Sequence, residues 1–169
     1  MPDPGLPQAL QLGLRLLLLL ALANNAPIAA RLLLGERWNR PLDGGTLFAD
    51  GRPWLGPSKT WRGLIAAILV STLVAPVLGF APVAGLLAGA VAMAGDALAS
   101  FTKRRLGIAS SGQCFGLDQV PESLLPLLAL APVLGLGVPM IAAVTLAFLL
   151  IEPPAARLGH RFGWRDRPY

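Results

Sequence analysis

Long apolar runs alternate with short polar segments along this chain, and the runs are long enough for lipid. Leu10 to Ala23 and Ala26 to Leu34 read as one first span bent at Asn24, Asn25 and Pro27, because a spanning helix needs about 20 residues. Trp61 to Phe80 and Val83 to Phe101 form a tight hairpin across Ala81-Pro82, and Val120 to Leu134 and Val138 to Ile151 form another around Gly135, Gly137 and Pro139. The pattern predicts an all-α integral membrane protein, a single membrane domain over 1–169, with about five transmembrane helices near 8–34, 61–80, 83–101, 119–135 and 138–156. Glu36 to Lys59 is the longest polar segment, and Gly44-Gly45, Asp50-Gly51, Pro41, Pro53 and Pro57 mark turns within it.

Composition sharpens that picture. The chain is 54% hydrophobic and only 14% charged, against about 25% charged in a soluble domain. Ala21-Leu22-Ala23 looks like a leader cleavage site, yet no positive charge precedes the first run, which argues against a cleaved leader. A net charge of +5 does not point to nucleic acid, since no basic face alternates with aromatics; a membrane surface and phosphorylated substrates are the expected partners. Cys114 and His160 are each the sole residue of their type, which excludes an intrachain disulfide and a cysteine or histidine metal cluster.

The bases set an orientation. Arg31, Arg37, Arg40, Arg52, Lys59 and Arg62 lie in or beside the first loop, Lys103 to Arg105 in the third, and Arg157, Arg161, Arg165 and Arg167 in the tail, while the two hairpin turns hold none. Because cytoplasmic loops carry the Lys and Arg excess, the cytoplasmic loops are expected to form one polar site on the inner face of a cell inner or plasma membrane. Only Arg15 falls elsewhere.

Candidate chemistry concentrates between Gly95 and Glu122. An acid within a span costs about 2.5–3.5 kcal/mol to insert, so Asp96 needs a partner, and on a helix Asp96, Ser100, Lys103 and Arg104 fall along one face. That stripe can bind a metal at its acid and phosphates at its bases; alternatively, Lys103 to Arg105 simply mark a helix end. Asp118 and Glu122 open the fourth span, where Asp118 can be an N-cap but Glu122, inside the helix, needs a partner. Ser58-Lys59-Thr60-Trp61-Arg62 precedes the second span, with Ser58 or Thr60 able to cap it, and is either a phosphate-binding helix start or an interface anchor with Trp61 in the aromatic belt. Gly85 and Gly89 are four apart, the spacing that lets helices approach closely in lipid. With no GxxxxGK[ST] loop, zinc set or Ser/His/Asp arrangement, the expected reaction needs no protein base, as when a phosphate monoester attacks.

Several of these residues resemble the CDP-archaeol synthase family, membrane cytidylyltransferases related to CDP-diacylglycerol synthases. The motifs are GPSKTWRG at Gly56 to Gly63, GDALASFTKRRLGI at Gly95 to Ile108 and Leu117-Asp118-Gln119, with weaker echoes at Asn25 and Pro27, at Pro41 to Gly45, and at the Gly163 to Tyr169 ending. The resemblance implies that a lipid phosphate attacks the α phosphorus of CTP, giving a CDP-lipid and pyrophosphate with Mg2+ as cofactor. It implies Asp96, Asp118, Lys103 and Ser100 as catalytic residues, Asp96, Asp118 and Glu122 as metal ligands, and Lys59, Thr60, Arg62, Arg104, Gln119 and Asn25 as substrate-binding residues. Glu122 stands where the archaeol enzymes tend to carry a second Asp, and the HGG-x-x-DR-x-D segment of the diacylglycerol relatives has no counterpart. A CTP-dependent polyprenol kinase and a non-catalytic scaffold remain as alternative readings, and the lipid tails and oligomeric state stay open.

Overall fold

Each apolar run becomes a helix. The computed structural model describes residues 6–110 and 112–164; Arg165 and Arg167, and the 165–169 part of the expected tail motif, lie outside them. Helix α1 spans Leu6–Leu34, α2 Trp61–Val74, α3 Pro82–Arg105, α4 Gln119–Leu134 and α5 Val138–Arg161, with only isolated bridges, Pro41 to Thr60 and Leu47 to Pro53, among the described residues. By length and composition α1, α3 and α5 can cross a membrane, whereas α2 and α4 are apolar but shorter, at 14 and 16 residues. Fourteen residues rise only about 21 Å, less than the roughly 30 Å hydrocarbon core.

The second run stops short of its expected end at Phe80 for a local reason. Pro76 lacks an N–H for the next turn, Gly79 takes a positive φ of 80°, and Phe80 donates back to the Ala75 carbonyl at 2.8 Å. The turn buries Phe80. Helix α3 instead runs four residues past its expected end, through Lys103, Arg104 and Arg105, cations that suit the negative end of a helix dipole. Pro82 and Pro139 stand at the first turns of α3 and α5, where a missing N–H costs nothing.

Helix α3 packs against α2, α4 and α1, while α1 also packs on α2 and α5. Gly85 and Gly89 make the α2–α3 contact: a Cβ at Gly85 would stand 2.7 Å from Ala75 Cβ and one at Gly89 would stand 2.8 Å from the Ala67 carbonyl oxygen. Close packing is what their spacing predicts. The apolar core, including Leu16, Leu19, Leu20, Phe80, Leu127, Leu130, Ile141 and Phe148, fills the half of the bundle next to the hairpin turns. Arg15 reaches toward that end too, with its Nη1 3.2 Å from where a Cβ on Gly79 would lie. The opposite half is polar.

Candidate active site

Two loops and segments of all five helices close around a cavity of about 580 Å³. Of the residues singled out in the sequence, Lys59, Thr60, Arg62, Asp96, Ser100, Lys103, Asp118, Gln119 and Glu122 line it. Gly95 makes the convergence of α3 and α4 possible. A Cβ there would collide with the Pro121 carbonyl oxygen and stand 2.6 Å from the carbonyl carbon, so only glycine lets α4 begin beside the next residue, Asp96.

Two of the cavity acids each face a lysine. Lys59 Nζ donates to both oxygens of Asp96, at 2.6 and 2.5 Å, and the two side chains keep only 19% and 21% exposure. Burial works against the Lys59 ammonium, but Asp96, with Glu122 and Asp118 beyond it, outweighs burial and holds its pKa above the ordinary lysine range. Asp96 also meets Glu122 within hydrogen-bonding reach. Two carboxyl groups in contact share a proton or a cation. Lys103 forms an ion pair with Asp118 and donates to the Gly112 carbonyl at 3.0 Å.

Asp118 is not spent as an N-cap. Its side chain makes no cap bond to α4 and instead accepts from the Cys114 N–H at 2.8 Å, behind it in the chain. The capping role of Thr60 is present, its hydroxyl accepting from the Gly63 N–H at 3.2 Å. Buried Ser100 lies between Asp96 and Lys103 along the face of α3, as the spacing predicts.

Other expected residues are placed differently. Arg62 lines the cavity, but its Nη1 donates to the Gly35 and Arg37 carbonyls at 2.5 and 3.0 Å and its Nη2 to Asn39 Oδ1 at 3.4 Å; it ties the end of α1 to the start of α2. Arg104 is buried but absent from the cavity wall. Arg105 faces a different cluster, 4.5 and 5.0 Å from the ring centres of Phe48 and Phe101, with Nη1 2.6 Å from Asp50. The basic triplet thus divides among three environments.

Asn25 is also displaced. It is exposed and donates back to the Ala21 carbonyl at 2.8 Å, while its neighbour Asn24 lines the cavity. Glu152 on α5 joins the wall as well and accepts from Gln119 Nε2 at 3.0 Å; the sequence reading did not single it out. Asp43, noted only as part of a loop echo, organises the approach to Lys59: its Oδ2 accepts from the Leu55 and Gly56 N–H groups at 2.9 Å each and its Oδ1 from Gly45 at 3.0 Å. Burial raises the Asp43 pKa, but these N–H groups outweigh it and hold the carboxyl below its ordinary range.

Among the described residues no three His, Cys, Asp or Glu side chains are grouped closely enough to hold a metal by themselves. The expected set of Asp96, Asp118 and Glu122 shares one cavity without forming such a cluster. The donor chemistry still fits a hard cation: Asp96 and Glu122 touch, and magnesium usually takes one or two carboxylates plus substrate phosphates.

Known proteins resemble this chain over most of its length. Residues 10–169 match the family model for CDP-archaeol synthase, CarS-like. The CDP-archaeol synthase of Thermococcus kodakarensis is 35% identical over 163 residues, covering 87% of this chain and 89% of that protein. That of Hyperthermus butylicus is 41% identical over 104 residues, covering 58% and 59%. A solved structure described as an intramembrane enzyme for archaeal membrane lipids biosynthesis superposes with a TM-score of 0.67 at 30% identity, over 82% of this chain and 90% of that one.

Proposed function

The chain belongs to the CDP-archaeol synthase family, and from that premise we propose that its polar cavity is where CMP passes from CTP to a lipid phosphate. The protein is a membrane CTP-dependent nucleotidyltransferase that makes a CDP-lipid. A phosphate oxygen of the lipid bonds to the α phosphorus of CTP as the bond to the bridging oxygen breaks, and pyrophosphate leaves with that electron pair. No protein base is required, because the attacking monoester is largely dianionic at neutral pH.

The chain's own residues have the task of bringing two polyanions together. Lys59 and Lys103, on opposite sides of the acids, release their carboxylates to bind phosphates, and Ser100 donates a hydrogen bond between them. Asp96 with Glu122, and Asp118 across the cavity, would hold magnesium, which would neutralise charge on the triphosphate. Gln119, fixed by Glu152 and the Gly116 N–H, holds the start of α4 in register. Thr60 keeps α2's first turn in place behind Lys59. The observation that carries this reading is the pairing of two partly buried acids with two lysines, one from a loop and one from a helix, at one end of an apolar bundle.

The cavity end is assigned to the cytoplasmic side of the cell membrane, since the bases flank that end and CTP arrives from cytosol. All five helices would cross, α2 and α4 with help from their turns. The test is incubation of purified protein with labelled CTP, magnesium and a panel of ether- and ester-linked lipid phosphates. Formation of a CDP-lipid with equimolar pyrophosphate is expected. CDP with a newly phosphorylated alcohol would overturn the proposal in favour of kinase chemistry, and no turnover of any lipid would overturn it outright.

A further inference from the structure

Trp38 is the one residue other than glycine that takes a positive φ among the described residues, at 56°. That left-handed conformation is unfavourable for a bulky side chain and persists only where the surroundings impose it. Here they do. Arg62, buried in the first turn of α2, donates from Nη1 to the Gly35 and Arg37 carbonyls and from Nη2 to Asn39 Oδ1, and Asn39 in turn donates to Glu36 at 2.8 Å. The Arg40 carbonyl accepts from the Trp61 N–H at 3.0 Å. The chain is fastened on both sides of Trp38, yet the indole itself is left 77% exposed. Folding gains little from an exposed ring held in a strained conformation.

The height of the turn says what the ring meets. Leu33, at the end of α1, is 84% exposed, and Trp61, at the start of α2, is 52% exposed, so the apolar outer surface of two helices ends at this level. Arg37 and Arg40 are exposed on either side of Trp38. An indole between bases where apolar helices end matches the membrane interface, at which the ring lies among headgroups and the bases meet lipid phosphates. Continuity with the outer faces of α1 and α2 favours lipid over a protein partner. The same turn belongs to the site, since Glu36 and Asn39 line the cavity and are exposed at its rim.

We infer that Trp38 inserts its indole into the headgroup layer of the cytoplasmic leaflet and holds the turn between α1 and α2, one wall of the cavity mouth, at the depth where the phosphate of the lipid substrate lies. Its kinetic consequence rests on the cytidylyl-transfer reading; the location of the ring rests on geometry alone. Trp38 is a positioning residue for the lipid, acting through the rim and not on the reacting atoms.

The experiment has an optical arm and a kinetic arm. Wild type and Trp38→Phe are placed in bilayer nanodiscs, and the emission lost in Trp38→Phe is taken as the Trp38 component. Lipid brominated near the top of its tails is expected to quench that component, and aqueous acrylamide to leave it largely unquenched. Trp38→Asn removes the ring while tolerating the positive φ, so its Tm in micelles should be no lower than that of wild type. In bilayers Trp38→Asn should raise KM for the lipid phosphate by roughly 3-fold or more, with KM for CTP within about 2-fold, because only the lipid is met at the interface. With a short-chain lipid phosphate in micelles the two proteins should be alike, which a merely structural role would not produce. Quenching of the Trp38 component by acrylamide would place the ring in water, and quenching by neither probe would place it against protein; either result overturns the inference. Unchanged lipid KM in bilayers, with an active wild type, would overturn it as well. A wild type that makes no CDP-lipid would overturn the underlying reading, and the optical arm would still decide where the ring lies.

Discussion

Gly95 on α3 sits against Pro121 on α4 so tightly that a methyl group at Gly95 would stand 2.6 Å from the Pro121 carbonyl carbon. That approach is what places Asp96 beside Glu122. Gly95→Ala must separate the two helix segments, at a cost of about 1–3 kcal/mol for overpacking, and it separates the carboxyl pair with them. Gly85→Ala forces the same kind of clash on α2 in the apolar half, near Ala75. Thermal unfolding should show both variants destabilised. CDP-lipid formation per folded molecule should fall at least 10-fold only for Gly95→Ala.

The pair of Lys59 with Asp96 separates structure from chemistry. Leaving one member of a largely desolvated ion pair uncompensated is destabilising, and Lys59→Met removes the cation that faces Asp96. The double variant Lys59→Met/Asp96→Asn should therefore be more stable than Lys59→Met alone. Neither should make CDP-lipid, and Asp96→Asn by itself should lose roughly 100-fold or more in rate, the scale set by deleting one preorganised electrostatic contact. Recovery of turnover in the stable double variant would assign the pair to folding alone.

Much of this arrangement was legible because hydrophobic length and helical spacing are direct consequences of lipid and of 3.6 residues per turn. The stripe Asp96, Ser100, Lys103 reached the cavity for that reason. The end of α2 was not legible from apolarity, since Ala75 to Phe80 is as apolar as the helix and only Pro76 and Gly79 signal the turn. Asn24 was passed over for Asn25, although Asn24, Ile28 and Arg31 have the four- and seven-residue spacing of one face and all line the cavity. Glu152 had the same signal, four residues after buried Phe148 and before buried Ala156. Guanidinium destinations were beyond reach: Arg62 and Arg105 go to loop carbonyls, aromatic rings and an acid whose positions depend on how the 36–56 segment folds back.

Arg105 is predicted to hold that segment rather than a substrate. It stacks over Phe48 and Phe101, pairs with Asp50 and donates to the Pro53 carbonyl at 2.6 Å. Lysine cannot reproduce a planar fork over two rings. Arg105→Lys and Arg105→Ala should both speed proteolysis between Thr46 and Trp54 and lower Tm, with turnover at saturating CTP reduced less than 10-fold. Lys103→Met, facing Asp118 rather than the 46–54 segment, should leave the proteolysis pattern unchanged and abolish turnover. If the two positions gave the same kinetic loss, the division of the basic triplet would be wrong.

Asp43 makes the loop pH-dependent, with a definite sign. Its folded pKa lies below the ordinary carboxylate value because the N–H groups of Gly56, Leu55 and Gly45 favour the charged form over the opposing effect of burial. A depressed acid contributes stability that is present above its unfolded pKa, near 4, and is lost as pH falls through the folded value. Protection of the Gly45, Leu55 and Gly56 amides, measured relative to their intrinsic exchange at each pH, should therefore be high at neutral pH and fall on acidification below about pH 4. Asp43→Asn replaces one acceptor oxygen with an NH2 group facing two N–H donors, so it should cost about 1–2 kcal/mol and remove the acid dependence of those amides. Because the same backbone leads directly into Pro57, Ser58 and Lys59, the variant should also raise KM for CTP while the Asp96 and Asp118 carboxylates remain in place. Protection that is identical in Asp43→Asn and wild type across that pH range would show that the loop is held by Arg105 and its aromatic partners alone.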